Sequence, residues 1–176
     1  MSPMINVPAD ELRTERVNLP DGHYQADFVG AELVGNDADW RAVKPRFENF
    51  ALSSGAGQLK TVFRGREVTL DLAFRTHTTV YTIASNNAQA VEIGARDIAR
   101  LAQALGAAQQ NGDGHVEVAG DTPEEVVATL NEKAGMRVNL SIRNKTRKRK
   151  GVVSLNEKTG EPQIDDEIGS VWPLEA

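Results

Sequence analysis

The chain contains no cysteine. Disulfide frameworks, cysteine-ligated zinc and thiol catalysis are therefore excluded, and a reducing cytoplasm suits the composition. Histidines are few: His23, His77 and His115 stand far apart and form no His-x-x-x-His metal motif. No apolar run approaches the ~18 residues that a membrane helix needs. Residues 1–19 mix charge with proline and lack the apolar core of a signal peptide. No serine lies in a nucleophile elbow, and no carboxylate pair stands in a recognisable acid/base setting. A soluble cytoplasmic protein without enzymatic activity, metal or cofactor is expected. Aromatics are also scarce, nine in 176 residues, so most of them are needed for the core.

Positive charge, by contrast, is concentrated. Residues 137–150 carry seven basic side chains and no acid, in a chain whose net charge is −5, which leaves −12 for the remainder. Arg143, Lys145, Arg147, Lys148, Arg149 and Lys150 supply six of the seven. Before them, Val138-Asn139-Leu140-Ser141-Ile142 alternates apolar and polar, and Val152, Val153 and Leu155 follow. Two strands with a basic connection predict a basic β-hairpin. Confined positive charge on an acidic body suits a polyanion such as nucleic acid, although a solvated loop or a targeting signal has the same composition.

The rest of the chain divides into an arm at 1–19, with a short helix at 9–13, a domain at 20–156 and an acidic tail at 157–176. Pro20-Asp21-Gly22 is a turn that launches a strand to about Val34, with Tyr24, Ala26 and Phe28 on one face. A second strand is expected at 46–52, and a third around Thr61–Phe63, turned at Arg64-Gly65-Arg66. Val68, Leu70, Leu72 and Phe74 alternate with polar residues and predict a strand burying all four. Thr78 to Ile83 is β-branched and aromatic, and continues the sheet. The glycines at 53–57 lack a following Gly-Lys-Ser/Thr and read as a flexible turn. Asn111–Glu117 lacks a full calcium-ligand series and reads as another turn, with a short strand at His115–Val118.

Helical spacing of Val91, Ile98, Leu101, Ala102 and Leu105 predicts a helix over about 87–105, with Asn86 and Gln89 as its capping pair and Gly106 as its stop. Thr122, Pro123 and Glu125 form a strong start for a second helix over about 123–134. After Asn156 six acids meet one base, which reads as a solvated tail with a short apolar end. The first strands have no helices between them, so antiparallel pairing is favoured. The expected fold is α+β and mainly antiparallel: a partly open barrel of oligonucleotide-binding type, with two inserted helices and a C-terminal β-hairpin.

Trp40, Phe47, Phe50 and Phe63 lie among Arg41, Lys44, Arg46, Lys60, Arg64 and Arg66. Cations that track phosphates, interleaved with rings that stack on bases, are what a single-strand groove requires. Each ring has an alternative reading as a core or rim residue.

Residues 20–156 resemble the bacteriophage single-stranded-DNA-binding proteins of oligonucleotide-binding fold. The resemblance rests on Pro20-Asp21-Gly22-His23-Tyr24, on Gly65-Arg66, and on Asn87–Ile93 leading to Leu101-Ala102-Gln103-Ala104-Leu105-Gly106, followed by a helix, a glycine and a final hairpin. It implies sequence-independent binding of single-stranded DNA in phage replication or recombination, in the host cytoplasm and without a cofactor. The acidic tail is similar to the partner-recruiting tails of bacterial single-strand binders, which implies replication or recombination proteins as further partners. Its ending, Trp172-Pro173-Leu174-Glu175-Ala176, departs from theirs. Homo-oligomerisation is left open. Two other classes fit the charge pattern: a structural or interaction module whose basic hairpin binds an acidic partner, and a nuclease-related protein.

Overall fold

A computed structural model describes residues 3–7, 17–36, 39–157 and 159–174. In chain order the elements are β1 (Gly22–Asn36), β2 (Trp40–Leu52), β3 (Gln58–Phe63), β4 (Arg66–Asp71), a 3-10 turn (Leu72–Phe74), β5 (Thr76–Thr78), β6 (Tyr81–Ser85), α1 (Ala88–Ala104), β7 (Ala108–Gln110), β8 (Val116–Val118), α2 (Pro123–Asn131), β9 (Arg137–Thr146), β10 (Lys148–Arg149), β11 (Val152–Val153) and β12 (Ile164–Pro173). The helix expected at 9–13 lies outside the described residues.

The main sheet is antiparallel, in the order β12-β9-β1-β2-β5, with β6 also on β2. It does not close, so the fold is α+β with a partly open barrel of oligonucleotide-binding type. Register shifts between Gln25 and Asp27 and between Phe28 and Gly30 interrupt the β1–β2 pairing. Such bulges bend a strand and increase its twist, which curls the long pair around the core. Tyr24, Ala26 and Phe28 are buried on one face of β1, as their alternation predicts, and Phe47 and Phe50 meet them from β2.

Both helices start as the sequence chemistry requires. The Asn87 side chain accepts from the Ala90 N–H at 3.2 Å, so the cap of α1 is Asn87 and not the expected Asn86. Thr122 Oγ1 accepts from the Glu125 N–H, and the Glu125 carboxylate accepts from the Asp121 N–H at 2.6 Å. Ile98, Leu101 and Ala102 of α1 and Leu105 at its C-cap enter the core. At Gly94 the helix lies so close to β6 that a Cβ would fall 1.8 Å from the Thr82 carbonyl oxygen. α2 is fixed against β1 by Asn131, which accepts from the Ala31 N–H at 2.7 Å and donates to its carbonyl at 3.0 Å.

Two further expectations are corrected. The first concerns Phe74. β4 stops at Asp71, and the 3-10 turn that follows changes the period from two to three. Leu72 stays fully buried, but Phe74 swings out and is 78% exposed. The second concerns the acidic tail. Residues 164–173 are not a solvated tail but β12, an edge strand paired along β9. Ile168 and Val171 give that strand a buried face, and its backbone bonds are made with β9.

Asp166, also on the inner face of β12, is the one charged residue among the buried ones described. It accepts from the Leu19 N–H at 2.8 Å and lies 3.3 Å from His77 Nε2 and 3.7 Å from Arg75 Nη2. Arg75 also donates to the Val17 carbonyl. The carboxylate thus joins the segment entering β1, the strand β5 and the edge strand. Removing one member of a buried ionic group leaves the others without compensation. Asp166→Ala is expected to destabilise the fold by roughly 3–5 kcal/mol, to be measured by denaturant unfolding at constant m-value.

Candidate functional site

The basic segment begins on the outer face of β9. Val138, Leu140 and Ile142 point inward, so Arg143 and Lys145 point out. The register with β12 sets Glu167 opposite Arg143 and Asp165 opposite Lys145. Lys145 Nζ lies 3.4 Å from Glu167. Arg147 grips Asp165 with two bonds, 2.8 Å from Nε and 2.6 Å from Nη2, and donates to Gln163 Oε1 at 3.1 Å. Bonding to the Asp165 carboxylate raises the Arg147 pKa above its ordinary value. Carboxylates of the supposed tail therefore partner part of the basic run within the sheet.

Beyond Arg147 the balance changes. β10 and β11 form a small hairpin whose turn is Lys150-Gly151, with φ of 52° and 79°. Positive φ at both central positions is the turn type that suits a two-residue hairpin loop, and glycine accepts the second position without strain. Lys148, Arg149 and Lys150 are exposed and form no ion pair among the described residues. The expected basic hairpin therefore exists as a short tip, while the long partner of β9 is β12 instead of 152–155.

A second hairpin, β3–β4, has the same turn chemistry. Arg64 and Gly65 have φ of 53° and 76°. The Arg64 guanidinium lies over the Phe63 ring, 5.4 Å from its centroid. Between this tip and the root of the basic hairpin runs a cleft of about 740 Å³. Phe63, Arg64 and the exposed Val62 line one side; Arg147, Pro162 and the exposed Ile164 line the other; Val17 to Pro20 form part of the wall. Asn144 anchors that wall. Its backbone N–H and side chain both donate to Asp21 Oδ1, at 2.6 and 2.9 Å, and its side chain also reaches the Leu19 carbonyl. The Asn144 bonds hold the Asp21 carboxyl below its ordinary pKa.

The structure thus brings together Phe63, Arg64 and Arg147, with Lys148, Arg149 and Lys150 on the hairpin that Arg147 roots. It separates the other candidates. Phe47 and Phe50 are fully buried core residues, which corrects their reading as base-stacking rings: both point to the inner face, where no ligand reaches. Trp40 is 38% exposed at the start of β2, with its indole N–H bonded to Thr82 Oγ1. Arg46 pairs with Glu48 and lines a separate cleft beside Lys44 and Thr78. Lys60 pairs with Glu67 across the outer face of its hairpin. Arg66 is exposed beside the turn. Val62, Pro162 and Ile164 carry no chemical signature in the sequence, and only their convergence on the cleft marks them.

No known family model matches the chain, and no curated protein matches it. Among the described residues no helix is long and apolar enough to cross a membrane.

Exposed ion pairs contribute only about 0–1 kcal/mol each, so the β9–β12 pairs can be changed without loss of the fold. Asp165→Asn with Glu167→Gln is expected to leave the thermal midpoint nearly unchanged. It should delay elution from a polyanionic heparin matrix to higher salt, because Lys145 and Arg147 lose their internal counter-charges.

Proposed function

We propose that this protein binds single-stranded DNA without regard to base sequence. The carrying observation is the cleft in which Phe63 and Arg64 face the root of a hairpin whose three tip cations have no partner among the described residues. A flat ring under a guanidinium accepts any base by stacking. Cations at the tip attract phosphates, which carry no base identity. The rest of the chain is acidic, which disfavours unspecific adhesion to other anions. A role in phage replication or recombination follows from the sequence resemblance and is part of the proposal.

A protein-docking module is the second reading. Val152 and Leu155, 69% and 56% exposed beside the lysines, favour it, since a basic and apolar surface also suits an acidic partner segment.

Fluorescence anisotropy with labelled oligo-dT, a matched duplex and an RNA of the same length tests the proposal. Single strands should bind more tightly than duplex in the same salt, and mixed-sequence strands should bind about as well as oligo-dT. Equal affinity for duplex and single strand would overturn the reading. Each phosphate contact on a single strand contributes about 0.7 to the slope of log affinity against log salt. Lys148→Ser, Arg149→Ser and Lys150→Ser together should flatten that slope by roughly 1–2 units, similarly for every sequence. An unchanged slope in the folded variant would show that the tip is a solvated turn.

A further inference from the structure

The outer face of the sheet carries an aromatic pair that the cleft does not use. Opposite Ser141 of β9 stands His23 of β1, and opposite Asn139 stands Trp172 of β12. All four side chains point away from the core, because their neighbours Tyr24, Leu140, Ile142 and Val171 are buried. His23 and Trp172 meet across β9 with ring centroids 5.1 Å apart and planes at 76°. This edge-to-face contact occupies one face of one ring, where an offset stack would occupy a face of each. His23 is exposed and Trp172 half-buried. The indole N–H of Trp172 donates to no group among the described residues, whereas that of Trp40 is bonded to Thr82. Along the same face of β9 comes Arg143, exposed, its side chain in no ion pair or hydrogen bond among the described residues, although its charge helps to lower the Asp21 pKa. Lys145 follows, and the strand then leads to the Lys148–Lys150 tip. From Asn139 to Lys148 the track is about 30 Å long at ~3.3 Å per residue.

We propose that the Trp172–His23 pair is a base-stacking platform for single-stranded nucleic acid, with Arg143 holding the adjacent phosphate. The strand would run along the outer face of β9 from this platform to the basic tip. The inference rests on the single-strand reading and adds to it a second surface with its own residues. The chemistry on that face is of the kind a nucleotide needs: free ring faces for a base, an unengaged N–H for an oxygen acceptor, and cations in line. Along this face Arg143, Lys145 and Arg147 meet Asp21, Asp165 and Glu167, and the tip adds three further cations. The net positive charge of this track therefore lies at its tip end, towards which the strand would run.

The test uses the full chain with Trp40→Phe, so that Trp172 is the sole tryptophan. Labelled oligo-dT anisotropy and Trp172 emission are followed over parallel titrations. Emission should be quenched and should saturate at the same oligonucleotide concentration as anisotropy. Stacking is worth ~1–3 kcal/mol per base, so His23→Ala should weaken binding about fivefold or more while leaving the salt slope unchanged. Arg143→Gln should flatten the slope by about 0.7. If anisotropy saturates while Trp172 emission stays constant and His23→Ala binds like its parent, the platform is wrong and the single-strand reading stands. If neither signal reports binding, both are wrong.

Discussion

The register between β9 and β12 is the constraint on which the rest depends. Asp165, Asp166 and Glu167 are consecutive, and strand geometry sends alternate side chains to opposite faces. In the observed register Asp165 and Glu167 face out beside Arg147 and Lys145, while Asp166 faces in. A slip of one residue would bury two carboxylates among Ile142 and Leu140 and leave one outside. Burying a charge without partners costs several kcal/mol at least. The inward Asp166 is tolerated because Leu19, His77 and Arg75 surround it. The same contacts place the segment Val17–Pro20, and with it one wall of the cleft.

That register also sets the electrostatics of the candidate site. A run of basic residues counted along the chain overstates the charge that solvent meets, because β12 lays carboxylates along its first half. What remains is focused at the β10–β11 tip. Screening at physiological salt confines its reach to about 8 Å, so the tip acts on a ligand already near the cleft or the outer face of β9. Both hairpins that flank the cleft place a cation at the first left-handed position and glycine at the second, Arg64-Gly65 and Lys150-Gly151. The turn geometry itself thus presents a cation at the tip of each hairpin.

Much of the fold was legible because its signals are local. Alternation in Tyr24, Ala26 and Phe28, the Thr122-Pro123-Glu125 start, and the apolar stripe through Ile98, Leu101 and Ala102 each depend on residues within one element. The turns at Arg64-Gly65 and Gly106 were legible for the same reason. Where a local pattern failed, another local event intervened. The 3-10 turn after Asp71 broke the alternation that pointed Phe74 inward, and the cap of α1 moved by one residue to Asn87.

The sequence by itself determined the inventory: an antiparallel α+β chain, two helices, and a basic segment connecting two strands. Tertiary structure alone decided which face of β2 covers the core, and so removed Phe47 and Phe50 from any binding surface. It alone turned an apparently solvated acidic stretch into an edge strand whose carboxylates answer the bases of β9. It alone brought Phe63 and Arg64 to the same cleft as Arg147, and His23 to the ring of Trp172. The physical reason is common to these cases. Periodicity reports which side chains share a face, but not what that face meets. The partners lie far apart in the chain, Leu19 from Asp166 by 147 residues, and are chosen by strand register and burial, which no short window of sequence contains.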